Sequence, residues 1–129
     1  MNSDAAMALI IAPPGRMRDS WYVLLRATRR LTTVLHADDG PGGLEIVAQH
    51  PIAWVLLDAD LADDAWRTLA QLQAHWPGVR CLMLIHTTAQ MRRALRFEHV
   101  GTLPVDCSLI QLQNEMRRVQ AACERDGTS

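Results

Sequence analysis

Short apolar runs alternate along this chain with longer stretches in which apolar positions recur every three or four residues. The short runs cover residues 7–12, 31–36, 52–57, 80–85 and 100–105. Between and after them lie the stripes Trp21, Leu24, Leu25 and Thr28; Leu44, Val47 and Ala48; Trp66, Leu69, Leu72 and Trp76; Met91 and Leu95; and Leu109, Leu112, Met116, Val119 and Cys123. A run that is apolar on both faces suits a strand covered by helices on both sides, whereas a stripe of period 3.6 suits a helix that buries one face. The alternation predicts a three-layer α/β domain, a doubly wound (βα)5 chain around a five-stranded parallel sheet.

The punctuation agrees with this division. Pro13-Pro14-Gly15 ends the first run, and Pro77-Gly78 closes the third helix. The breaker-rich segment Asp38-Asp39-Gly40-Pro41-Gly42-Gly43 predicts a turn, followed by a short helix that stops before Pro51. Pro104 places the last strand at an edge, where one ladder donor can be missing. Ser108 and Gln111 have capping-box spacing at the start of the last helix, and residues 124–129 read as a frayed tail.

Composition narrows the picture. With 129 residues, 49% of them hydrophobic, the chain reads as a single domain with its core over residues 6–121. Thirteen basic and fourteen acidic residues are interspersed to a net charge of −1, so no broad field points to nucleic acid or to an anionic membrane. Every basic side chain is an Arg, and the absence of Lys excludes a Walker A loop and a Schiff-base mechanism. Cys81, Cys107 and Cys123 are odd in number and lack metal-type spacing, which fits a reducing cytoplasm better than a disulfide framework. The first dozen residues, with the acidic Asp4 and a short apolar run, match neither a signal peptide nor a membrane span. The histidines show no ligand spacing, and the four tryptophans lie on core-facing positions.

In open sheets of this kind chemistry gathers at the carboxyl ends of the strands. That places candidate loops at residues 12–15, 58–64, 85–88 and 104–106. Asp58, ending the most apolar run, is the outstanding position. Asp60, Asp63 and Asp64 read as a solvated helix start, with side chains splayed toward solvent.

Three short pieces in order carry a resemblance: Val55-Leu56-Leu57-Asp58; Ala37-Asp38-Asp39-Gly40; and Ala94-Leu95-Arg96 followed by Gly101, Leu103 and Asp106. Over residues 6–121 they make the chain similar to the receiver domain of bacterial two-component response regulators, which implies a flavodoxin-like fold, a cytoplasmic location and a role in phosphorelay signal transduction. In that family two acidic residues after the first strand hold magnesium, a Ser or Thr follows the fourth strand, and a Lys follows the fifth. Here the acidic pair falls on Ala12 and Pro13, the hydroxyl position on Ile85 or His86, the mobile aromatic of the fifth strand on Thr102, and the lysine on Val105. Asp58 alone is kept, as the phospho-acceptor candidate.

Magnesium requires oxygen ligands in near-octahedral geometry, and phosphoryl transfer to a carboxylate needs cations to neutralise charge. The resemblance with these losses therefore implies a degenerate receiver, or pseudo-receiver. It would be a non-enzyme without a cofactor that contacts another signalling protein or its own copy, not nucleic acid or membrane directly. Arg92, Arg93, Arg96, Arg117 and Arg118 are the partner-face candidates. The alternatives are a working receiver in which Asp58 takes phosphate with Mg2+, and a flavodoxin-like protein that binds a nucleotide or flavin. For the latter, Pro13-Pro14-Gly15 makes a poor phosphate loop, because prolines carry no N–H donor.

Overall fold

All five apolar runs become strands. The computed structural model describes residues 6–28 and 31–127. Strands β1 (Ala6–Ile11), β2 (Leu31–Ala37), β3 (Ile52–Asp58), β4 (Arg80–Ile85) and β5 (Val100–Pro104) alternate with helices α1 (Arg16–Arg26), α2 (Gly40–Gln49), α3 (Ala65–His75), α4 (Thr88–Ala94) and α5 (Leu109–Gly127). The strands form one sheet in the order β2-β1-β3-β4-β5, and every pairing is parallel. Pro104 lies on the edge strand β5, as its missing donor requires.

Strand alternation divides the core in two. Leu9, Ile11, Val55, Leu57, Cys81 and Met83 point to one face, where they pack with Val47 of α2, Leu69 and Leu72 of α3 and Ala94 of α4. Ala8, Ile10, Leu56, Leu82 and Leu84 point to the other, against Trp21 and Leu25 of α1 and Leu112, Met116 and Val119 of α5. Each fully buried aliphatic side chain contributes roughly 1.5–3 kcal/mol relative to exposure, so the two faces hold the sheet between them.

The structure corrects three expectations. Gly40-Pro41-Gly42-Gly43 is not a turn but the opening of α2. Asp39 Oδ1 accepts the Gly42 N–H at 2.8 Å, and Pro41 sits in the first turn, where a missing N–H breaks no helical bond. Gly43 is needed there for closeness, since a Cβ would meet Ile11 Cγ1 at 2.7 Å. Second, the expected frayed tail is helical through Gly127, because residues 124–126 carry nothing that breaks a helix. Residues 128–129 lie outside the described residues. Third, Leu95 is not a core position: it caps the short α4 and is 73% exposed.

Candidate functional site

The β2-β1-β3 order means that the chain leaves β1 in one direction and returns past it in the other, opening a crevice at the carboxyl ends of β1 and β3. Asp58 closes β3 at this edge and is 2% exposed. Its Oδ1 accepts the Asp60 N–H at 2.9 Å, a local bond that bends the chain out of the strand. The same oxygen lies 2.6 Å from His86 Nε2, contributed by the loop after β4.

His86 is held in place on several sides. Its Nδ1 lies 3.3 Å from Asp60 Oδ2. Its backbone N–H and that of Thr87 donate to Gln90 Oε1 at 2.7 and 3.1 Å, while Gln90 Nε2 donates to Asp60 Oδ1 at 2.5 Å. Thr87 Oγ1 accepts the Gln90 N–H at 3.1 Å, completing a capping box at the start of α4. The Thr87-x-x-Gln90 spacing was visible in the sequence, but the second function of Gln90, its reach to Asp60, depends on the loop after β3 lying alongside.

Asp60 and Asp64 are exposed and Asp64 opens α3, as a solvated helix start implies, but the carboxylates of the cluster are engaged by protein donors. Asp64 caps α3 by accepting from Trp66 N and Arg67 N at 3.1 and 3.2 Å, and Asp63 Oδ2 accepts the Gly40 N–H at 3.0 Å. Each carboxylate satisfies donors at a helix start that has no intrahelical partners for them. Asp60 faces His86 and Gln90.

The remaining positions supply no charge at Asp58. Ala12 is fully buried, and its N–H donates to Ala37 O at 3.1 Å. Pro13 is exposed, Ile85 is buried, and Val105 packs with the α1/α5 side of the core. Thr102 gives its N–H to Glu115 Oε2 at 2.8 Å. A cation that sequence reading passed over, Arg18, sits at the end of β1, with Nη1 3.2 Å from Ala12 O and 2.5 Å from Asp38 Oδ1. These residues do not suit a magnesium ion: Ala12 and Pro13, where receivers carry an acidic pair, offer no side-chain oxygen, and Asp58 Oδ1 is engaged by His86.

The arginines of the partner-face candidate are not a single uniform patch. Arg93 lies over the Trp66 ring at 5.2 Å, on the α3 side. Arg118 Nε and Nη2 bond the Glu115 carboxylate at 3.0 and 2.7 Å, and Arg117 Nη2 bonds Asn114 at 3.1 Å. Arg92 and Arg96 are exposed on and just after α4.

No protein-family model matches the sequence, and no curated protein matches it significantly. Solved structures do. The chain is similar to a CheY-like response regulator receiver domain protein from Methanospirillum hungatei, with TM-score 0.76 and 15% identity over 95% of this chain and 98% of that one. It is similar to the signal receiver domain of an HD domain-containing protein from Pseudomonas fluorescens, with TM-score 0.79 and 16% identity over 95% of this chain and 92% of that one. NtrX from Brucella abortus gives TM-score 0.80 and 17% identity over 95% of this chain but 28% of its own. The fold is therefore the flavodoxin-like fold of response regulator receivers. Among the described residues no helix is long and apolar enough to cross a membrane.

Proposed function

We propose that this chain is a receiver-like, cytoplasmic signalling module that contacts another signalling protein or a second copy of itself. In this reading it works without magnesium-dependent phosphorylation of Asp58, and it is not an enzyme. The observation that carries the reading is the 2.6 Å contact between His86 Nε2 and Asp58 Oδ1, made by a side chain 3% exposed. An acceptor must present an oxygen to an incoming phosphorus in line with the leaving group, with cations beside it to neutralise the transferred charge. Here the imidazole engages Oδ1, and Ala12, Pro13 and Val105 bring neither metal ligand nor ammonium. The exposed Arg92 and Arg96 supply the cationic part of the proposed contact face.

Incubation with acetyl phosphate and magnesium, followed by intact mass measurement of wild type and Asp58→Asn, tests the reading. Neither protein is expected to gain the mass of a phosphoryl group. A gain in wild type that is absent from Asp58→Asn means that Asp58 is a working acceptor.

A further inference from the structure

Two carboxylates from the β3–α3 connection converge on one imidazole from the β4–α4 connection. His86 Nε2 faces Asp58 Oδ1 at 2.6 Å, and Nδ1 faces Asp60 Oδ2 at 3.3 Å. An ionised carboxylate only accepts, so the ring presents its Nε2 hydrogen to Asp58, while Nδ1 stands beside Asp60. A buried carboxylate also needs compensation, and the Asp58 side chain is 3% exposed. The chain contains no lysine, and Arg18 is engaged by Asp38 and the Ala12 carbonyl.

We infer that the His86 imidazole is the hydrogen-bond partner built in for the buried Asp58 carboxylate, a latch that shields Asp58 and fixes the start of α4 against the β3–α3 connection. The inference deepens the function proposed above and rests on it for the identity of the site. The latch is a closed circuit. From the ring it runs to Asp60, from Asp60 Oδ1 to Gln90 Nε2, and from Gln90 Oε1 back to the His86 and Thr87 N–H groups. The latch adds to a modest set of anchors on α4, a seven-residue helix whose one buried residue is Ala94, with Met91 partly buried against the core and Arg93 over the Trp66 ring. A short helix with a small apolar footprint takes its position from polar ties at its ends. Removing the imidazole leaves two carboxylates facing each other across an emptied space and leaves the Gln90–Asp60 bond to hold the first turn of α4 to the loop opposite.

Hydrogen exchange read by peptide mass tests this on the full chain. In His86→Ala, amides over residues 88–95 are expected to exchange roughly ten-fold faster or more, as the loss of a charge-assisted bond implies, while α5 and β1 stay unchanged. Free imidazole added to His86→Ala is expected to slow that exchange again. 1-Methylimidazole, whose neutral form has no N–H, is expected to do so less well. Should His86→Ala lose its fold, Asp60→Asn keeps the Asp58 contact and removes the outer charge; it is expected to speed exchange in the same segment by a smaller factor. Unchanged exchange in the folded variant, or no response to imidazole, overturns the latch and leaves the phosphorylation-independent reading standing. Phosphoryl uptake by wild type overturns that reading while the exchange result still decides the latch.

Discussion

The Glu115 carboxylate on α5 accepts the backbone N–H of Thr102 on β5 at 2.8 Å, tying the last helix to the edge strand. The same carboxylate holds Arg118 Nη2 at 2.7 Å one helical turn on. Burial opposes the charged form, but the Arg118 hydrogen bond, the Thr102 N–H and the Arg118 charge outweigh it and hold the carboxyl below its ordinary value. A folded value below the unfolded one means that the stabilisation is present above the unfolded value and is lost as pH falls through the folded one. Glu115→Gln is therefore expected to lower urea stability near neutral pH by about 1 kcal/mol, with the gap to wild type closing in acid. A gap that widens in acid contradicts this assignment.

Gly101 lets α5 approach β5 closely. A Cβ at this position would crowd Leu82 Cδ2, meet Val119 Cγ2 at 2.8 Å and come within 3.1 Å of Glu115 Oε2. Two of these neighbours are buried core side chains with little room to give. Gly101→Ala is expected to destabilise by about 1–3 kcal/mol in urea denaturation, as overpacking does. An unchanged or raised midpoint would show that the interface yields freely.

Cys81 is an internal reporter of global unfolding. It lies on β4 with 2% exposure, and burial, assisted by the nearby Cys123, pushes its thiol up to about 12. The thiolate is the reactive form, so alkylation of Cys81 is expected only through unfolding. Its labelling rate, followed by peptide mass, should rise with urea in parallel with the loss of tryptophan fluorescence, whereas the less buried Cys123 should react in the native state. Fast labelling of Cys81 without denaturant would mean that β4 opens locally.

Most strands were legible as short, largely apolar runs marked off by breakers or polar residues, and β4 (Arg80–Ile85) has the bounds that the pattern predicts. The α5 stripe and the Ser108/Gln111 capping box were legible for the same local reason, and both halves of the box form, at 2.7 and 3.2 Å. The start of α2 misled because Gly and Pro are breakers inside a helix but acceptable in its first turn. The pattern shows neither where that turn begins nor that Asp39 caps it.

Sequence alone determined the architecture, since the period of apolar positions and the placing of breakers are local properties that select strands and helices and the layers that cover them. It also placed Asp58 at a strand's carboxyl end, which β3 bears out, and put Ala12, Pro13 and Val105 where resemblance to receivers leads one to expect an acidic pair and a lysine. Only the tertiary structure decided what that carboxylate meets. Asp58 and His86 are 28 positions apart and come together because β3 and β4 are neighbours in the sheet, with Asp58 in register with Leu84. A contact between two loops depends on strand order and register, which no local pattern encodes, and it is this contact that gives the Asp58 carboxylate an imidazole partner.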